Sequence, residues 1–117
     1  MTLIPLEEDR RTIAIRFRKA PMYAFLDEGQ IIVQENPHKH SKSPEFFDYF
    51  KTLGVDILYV KELGYKTFLK LNELGIEVFL VKEAQKYNRI TPDGLEPITP
   101  DNAKACCTLG HHKREEG

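Results

Sequence analysis

The chain has 117 residues, a net charge of −1 at pH 7, 41% hydrophobic residues and 30% charged residues. This length fits one ordinary domain, which buries enough apolar surface to fold without a structural metal or disulfides. The near-neutral charge argues against a general nucleic-acid binder, and no apolar run reaches the roughly 18 residues of a membrane span.

The first third of the chain is predicted to form β-strands. Short apolar or β-branched runs cover Met1 to Leu6 and Thr12 to Phe17. Two further runs, Met22 to Asp27 and Gln30 to Glu35, are separated by a short turn that contains Gly29. Two strand-like runs around such a turn predict a hairpin.

A loop and a helix are predicted next. Asn36 to Lys42 is polar and contains a proline, which is typical of a loop. Ser43 is predicted as the N-cap of the helix, with Pro44 at its first position and Gly54 as its stop.

The following segments predict a β-α-β unit with parallel strands. The strands are predicted at Val55 to Val60 and Ile76 to Val81, and the helix at Tyr65 to Leu74. Beyond Lys82 the pattern weakens, and the proline-rich stretch Thr91 to Asp101 is predicted to be irregular chain.

The predicted fold is therefore a small single-domain α/β protein. Its mixed sheet of five or six strands has antiparallel N-terminal strands and a parallel β-α-β unit. Residues 1–101 are predicted to form this domain, and residues 102–117 a separate tail that contains cysteine and histidine.

That tail holds the residues best suited to bind a metal. Cys106, Cys107, His111 and His112 lie within CCTLGHH, and thiolate and imidazole are common ligands of zinc, copper and iron–sulfur units. The alternative is a disordered tail whose cysteines and histidines are incidental. The adjacent cysteines and the lack of a signal peptide predict free thiols in a cytoplasmic protein.

Two more histidines, His38 and His40, lie in the loop before the first helix. They are predicted as further metal ligands that complete a site with the tail. The alternative is that both are ordinary solvated loop histidines.

A basic stretch and a glycine loop are candidate binding elements. Arg16, Arg18 and Lys19 would attract an anionic ligand, or alternatively would only protect a strand edge from aggregation. Gly64 ends the loop that follows the strand Val55 to Val60, and ligands of open α/β sheets usually bind at such positions.

The order of several short motifs supports a family resemblance. The motifs are Ile4-Pro5, Arg16 to Asp27 (RFRKAPMYAFLD), Glu35-Asn36-Pro37, Leu53 to Asp56 (LGVD) and Leu74 to Val78 (LGIEV). In this order they resemble the dinitrogenase iron–molybdenum cofactor biosynthesis family. The resemblance implies a ribonuclease H-like topology, and an activity of carrying a metal–sulfur cofactor rather than reacting it.

The chain also departs from that family pattern. Arg16 stands where the family often has histidine, Arg18 and Lys19 stand where it has Gly-Arg, and the loop Lys61 to Gly64 keeps only the last glycine. These departures leave open a second interpretation, in which the domain has lost its cofactor and binds another protein.

The sequence as a whole predicts a non-enzymatic protein that binds a metal or an iron–sulfur cluster. The expected partners are the metal–sulfur cofactor and an acceptor or donor protein, without nucleic acid or membrane. The predicted cofactor-binding residues are Arg16, Arg18, Lys19 and Gly64, and the predicted metal ligands are Cys106, Cys107, His111, His112, His38 and His40.

Overall fold

The computed structural model describes residues 1–107 of the chain. These residues form a six-stranded mixed sheet in the order β3-β2-β1-β4-β5-β6, with three helices. The predicted α/β fold class is confirmed. The elements are β1 (Thr2–Leu6), β2 (Met22–Asp27), β3 (Gln30–Glu35), α1 (Ser43–Lys51), β4 (Ile57–Val60), α2 (Tyr65–Glu73), β5 (Glu77–Val81), β6 (Leu95–Ile98) and α3 (Ala103–Cys106).

Strand β2 pairs antiparallel with both β1 and β3, whereas β1, β4 and β5 run parallel to one another. The β2–β3 hairpin turns at Glu28 and Gly29, whose φ angles are 50° and 84°. Both angles lie in the left-handed region, which the tight hairpin turn requires. The predicted hairpin and the parallel β4–α2–β5 unit are both confirmed.

One side of the sheet carries the helices and most of the core. Leu3, Tyr23 and Leu58 of the strands pack in one cluster with Phe46 of α1 and Phe68 of α2. All five side chains are at most 1% exposed. This burial of aromatic and branched side chains is the main favourable contribution to folding.

In residues 1–107, the other side of the sheet is covered by a loop segment with a short 3-10 helix, Tyr87–Arg89, and not by an α-helix. Ile4, Leu6 and Val81 form a smaller cluster there, against Ile13 and partly buried residues of the segment 84–90. Among the described residues, no helix is long and apolar enough to span a lipid bilayer.

The predicted strand from Thr12 to Phe17 was wrong. Only isolated bridges form there, from Ile13 to Leu6 and from Thr12 to Lys86. Because β1 pairs with β2 along its whole length and with β4 at Thr2 and Leu3, only the last residues of β1 are open to this segment. The chain leaves the sheet plane instead, and Phe17 enters the core with 3% of its surface exposed.

The prediction of irregular chain at Thr91 to Asp101 was also wrong in part. Residues Leu95–Ile98 form β6, which pairs antiparallel with β5. The strand tolerates Pro97 because β6 lies at the edge of the sheet, where a missing N–H need not break a ladder.

The start of α1 differs from the prediction by one residue. Lys42 is the N-cap, so Ser43 is the first helical residue. The N–H of Lys42 donates to Oε1 of Glu45 at 3.3 Å, which is half of a capping box and explains the shift.

The described part of the predicted tail packs against the domain. Ala103 is fully buried, and Cys107 is 8% exposed in the same cluster as Phe68. Asn102 fixes the start of α3, because its Nδ2 donates to the Pro97 carbonyl at 3.0 Å and its Oδ1 accepts from the Thr99 N–H at 2.7 Å. Residues 102–107 therefore belong physically to the sheet domain.

Candidate functional site

Several loops meet at the end of the sheet where the parallel strands have their C-termini. This end, which is not one of the outer strands, is here called the carboxyl edge. The parallel strands β1, β4 and β5 end there. The register pairs Leu6 with Met22 and Met22 with Glu35, so β2 begins and β3 ends at the same edge. Ligands of open α/β sheets bind in this position. The carboxyl edge is formed by residues 7–21, 36–42, 61–64 and 82–94.

Asn36 connects two of these loops and is the one polar residue among the described chain that is fully buried. Its Nδ2 donates to the carbonyls of Arg18 and Ala20, both at 2.9 Å. Its Oδ1 accepts from the backbone N–H of His38, also at 2.9 Å. The Asn36 carboxamide therefore connects the loop 7–21, here called the basic loop, with the loop 36–42, here called the histidine loop.

Arg18 lies on the aromatic start of α1. Its guanidinium carbon is 5.6 Å from the ring centroid of Phe46 and 6.0 Å from that of Phe47. Such cation–π contacts favour a partly desolvated arginine. Within the described residues, Nε of Arg18 is buried and has no hydrogen-bond partner. A buried donor without an acceptor is costly, and a bound ligand could satisfy it.

His38, a residue of the preceding loop, packs against the same helix about one turn further along. Its ring centroid is 4.5 Å from that of Tyr49, and its Nδ1 lies 2.8 Å from Oγ of Ser41. Because Ser41 engages Nδ1, Nε2 is the nitrogen that can meet a ligand. Burial raises the pKa of Tyr49, so this phenol stays neutral beneath the imidazole. His40, by contrast, is exposed.

The basic loop is anchored by its one aromatic residue. Phe17 packs edge-on against Phe46 and Phe50, with centroid distances of 5.4 and 5.5 Å. Its carbonyl accepts a hydrogen bond from the Tyr23 hydroxyl at 2.9 Å, and burial raises the pKa of Tyr23.

Two of the predicted basic residues, Arg16 and Lys19, are exposed near this anchor. Strand alternation was expected to put Arg16 on one face with Arg18, but no strand forms there. Arg18 is instead partly buried while Arg16 faces solvent.

Gly64 lies at the carboxyl edge as predicted, as the N-cap of α2. Its φ is −69°, and a Cβ placed there would meet Thr67 Oγ1 at 3.7 Å, an ordinary contact. Neither backbone conformation nor space requires glycine at this position. The loop therefore does not have the shape of a glycine-dependent phosphate cradle.

The two cysteines lie elsewhere. Strand β6 pairs Leu95 with Val81 and Ile98 with Val78, so it ends opposite the carboxyl edge, and α3 begins there. Burial, helped by the neighbouring Cys106, raises the pKa of Cys107 to about 11. A buried, protonated thiol is a poor metal ligand until it is exposed and deprotonated.

The six predicted metal ligands do not converge in residues 1–107. No group of three or more His, Cys, Asp or Glu side chains in that range could hold a metal ion. The structure thus does not bring Cys106 and Cys107 together with His38 and His40. The predicted ligands His111 and His112 lie outside the described residues.

A groove of about 470 Å³ lies further along the carboxyl edge, between the end of β5 and the start of β6. Lys86, Arg89 and Ile90 are among its lining residues. Of the residues predicted to bind a cofactor or a metal, those within 1–107 do not line it. The better-defined arrangement is the one that Asn36 holds together.

Sequence reasoning missed the residues that build this arrangement. Asn36 was matched only as part of a motif, and Ser41 and Tyr49 were given no role. A signal for Asn36 does exist, because an Asn-Pro pair directly after a strand favours a turn whose side chain bonds nearby backbone.

These features define the class of the protein as a mixed-sheet α/β domain with a basic, aromatic-backed carboxyl edge. No protein-family model and no curated protein matches the chain. Solved structures that are similar to it include the following two.

The crystal structure of PH0822 has a TM-score of 0.66 at 20% identity, covering 88% of this chain and 96% of that one. The NMR structure of TM1290 from Thermotoga, described as a candidate NifB protein of the DUF35 family, has a TM-score of 0.54 at 21% identity. That match covers 89% of this chain and 83% of the other. At such identities the similarity establishes the fold alone.

Proposed function

We propose that this protein binds an anionic metal–sulfur cofactor at its carboxyl edge and carries it without catalysing a reaction on it. The observation that supports this most directly is the Asn36 side chain, which bonds the backbone of both Arg18 and His38. A cationic group and an imidazole that could ligate a metal are thereby held against one helix, α1.

The positive charge of the basic loop favours an anionic ligand. Metal–sulfur clusters are anionic, and arginine stays protonated at any physiological pH. Arg16 and Lys19 are exposed next to Arg18, so an approaching cluster meets three positive charges in four residues. The buried Nε of Arg18 offers a donor that such a cluster or an attached carboxylate would satisfy.

The donor set favours an assembled cluster over a bare ion. A bare zinc or iron ion needs three or four protein ligands, and residues 1–107 contain no such group. An assembled cluster brings its own sulfides and needs few protein ligands. His38 can supply one through Nε2 if its Nδ1–H donates to Ser41 Oγ, since that hydrogen bond fixes the required tautomer.

The motif order of the chain gives independent support. It resembles the dinitrogenase iron–molybdenum cofactor biosynthesis family, and a structural neighbour, TM1290, is described as a candidate NifB protein. Membership of that family is part of this proposal. The departures at Arg16 and Arg18 place positive charge where the family has histidine and glycine, and Lys19 keeps the charge of the family's arginine, which favours binding through charge.

The cysteine–histidine tail is a second proposed point of contact with the cofactor. Cys106 is partly exposed whereas Cys107 is buried, so Cys106 is the better ligand of the cysteine pair. We propose that it meets the cluster during transfer to an acceptor protein.

The test is anaerobic reconstitution of the full chain with iron and sulfide, followed by gel filtration and measurement of bound iron, bound sulfide and visible absorption. We expect about one cluster per chain. Arg18→Gln and His38→Gln should each lose most of it, while Lys51→Gln, which removes an exposed charge at the far end of α1, should not.

The outcomes separate the proposals. Loss of the cluster only in Cys106→Ser would move the site to the tail and overturn the role of the carboxyl edge. If the native protein retains neither iron nor sulfide, the proposal of cofactor binding is refuted altogether.

The second candidate function is a protein-interaction module without a cofactor. Ile31 and Ile32 of the edge strand β3 are 40% and 55% exposed, which favours a contact with another chain. This function would be preferred if reconstitution fails and the protein elutes from cell extract in a stable complex.

A further inference from the structure

The outer strand β3 is an open sheet edge. Within residues 1–107, no segment pairs with its outer side. Ile31 and Ile32 are consecutive, so they point to opposite faces of the sheet, yet both are exposed, at 40% and 55%. Open edges with apolar side chains readily pair with another chain.

The two edges of the sheet differ in how they are protected. At the other edge, β6 has only four residues, contains Pro97, and carries Glu96 in an ion pair with Lys82 at 3.2 Å. Short length, proline and charge are the usual protections against pairing. Strand β3 has six residues in unbroken register with β2, with neither proline nor lysine.

The backbone of β3 is in the right phase for a further strand. Its hairpin turn has two residues, so Gln30 and Asp27 close the ladder as a hydrogen-bonded pair. Hydrogen-bonded and non-hydrogen-bonded pairs alternate along an antiparallel ladder. The backbone groups of Ile31 and Val33 therefore point outward, away from β2.

The side chains of β3 are complementary to themselves. If two copies pair antiparallel about Ile32, then Ile31 lies opposite Val33, Ile32 lies opposite Ile32, and Gln30 lies opposite Gln34. The outward backbone groups of Ile31 and Val33 then bond each other, and no like charges meet. Centring the pair on Val33 instead would place Ile31 opposite Glu35, which loses the apolar contact.

We propose that a second copy of this chain is the partner of β3, paired antiparallel across a two-fold axis at Ile32. The two sheets of six strands then form one continuous sheet of twelve. Because the copies run in opposite directions, their carboxyl edges face opposite ways and both stay accessible. This inference does not depend on the proposed cofactor.

The expected dimer is weak, since a single strand pair buries less than the roughly 1,000 Å² of a stable interface. The test is sedimentation of the full chain at concentrations up to about 1 mM, with reversible dimer formation expected. Ile32→Lys should weaken the association by about tenfold or more, because like charges meet at the axis. Leu69→Lys, which charges another exposed apolar residue on α2, should leave it unchanged.

A charge exchange tests the register. Ile32→Lys and Ile32→Glu should each be largely monomeric alone and associate when mixed, because opposite charges then face each other. A thermal unfolding curve confirms that each variant is folded. A native chain that stays monomeric to about 1 mM, or a dimer that Ile32→Lys does not weaken, would overturn the proposal.

Discussion

Replacing the Asn36 side chain tests how the carboxyl edge is held together. Asn36→Ala removes three hydrogen bonds of 2.9 Å, to Arg18, Ala20 and His38, from a residue that is 3% exposed. A hydrogen bond contributes about 1 kcal/mol net, so the three together amount to about 3 kcal/mol. The Arg18 carbonyl is only partly buried and can be rehydrated, so we expect a loss of about 2–3 kcal/mol.

The assay is urea unfolding of the native chain and the variant. With a slope of about 1–3 kcal/mol per molar for a small domain, the midpoint should fall by about 0.7–3 M. The protein should stay folded, since domains of this size have about 5–15 kcal/mol of stability. The matched control is Asn72→Ala, which truncates an exposed asparagine of α2 and should change stability by less than about 0.5 kcal/mol.

A second variant separates the role of the Asn36 amide nitrogen, which donates, from that of its amide oxygen, which accepts. Asn36→Asp keeps the acceptor for the His38 N–H but turns a carboxylate towards the carbonyls of Arg18 and Ala20. Burial and these carbonyls should raise the pKa of the new carboxyl group in the folded state. Relative to the native chain, the variant should therefore be least destabilised below about pH 4, and it should lose stability as pH rises through that raised pKa.

Amide hydrogen exchange shows whether the two loops are coupled. We expect faster exchange in residues 36–42 of Asn36→Ala, together with weaker cluster binding in the reconstitution assay. If the variant loses less than about 0.5 kcal/mol and exchange in both loops is unchanged, then Asn36 does not hold the edge and the reasoning fails.

Three further predictions concern residues outside this connection. Because burial raises the pKa of Cys107 from 9.0 to about 11, folded protein keeps a proton that unfolded protein loses, so stability should fall as pH rises through that interval. Urea midpoints should show a flatter slope with pH in Cys107→Ala, and a smaller flattening in Cys106→Ala, which keeps burial, the larger cause of the shift. The pKa of Asp9 is lowered to about 2 by hydrogen bonds from Thr12 and Arg11, so stability should fall as pH drops from about 4 towards 2; an equally steep acid limb in Asp9→Asn would contradict this. Phe17→Ala should cost about 3–5 kcal/mol by urea unfolding, since it leaves a cavity beneath the basic loop, and a cost below about 1 kcal/mol would show that this anchor is dispensable.

The elements that sequence reasoning predicted correctly are those with local causes. The β2–β3 hairpin follows from Gly29 in a tight turn between two β-branched runs, and α2 from apolar residues spaced for one helix face. Turn chemistry and periodicity act over a few neighbouring residues, so they can be read without knowing the rest of the fold.

The elements that were predicted wrongly depend on position in the sheet. Thr12 to Phe17 has the composition of a strand, but β2 and β4 leave only the last residues of β1 open to it. Leu95–Ile98 contains a proline and reads as irregular chain, but it lies at an edge where proline is tolerated. Strand pairing depends on which edges are free, and no local pattern contains that information.

The candidate site divides in the same way. The sequence by itself determined which chemical groups are available: the basic residues Arg16, Arg18 and Lys19, and the imidazole of His38. Only the tertiary structure decided that Asn36 joins two of them, because its hydrogen bonds to Arg18 and Ala20 span 18 and 16 residues. The tertiary structure also decided that Cys107 is buried, far from the basic residues and His38. The packing of α3 against the core causes this burial, and the composition of the segment does not reveal it.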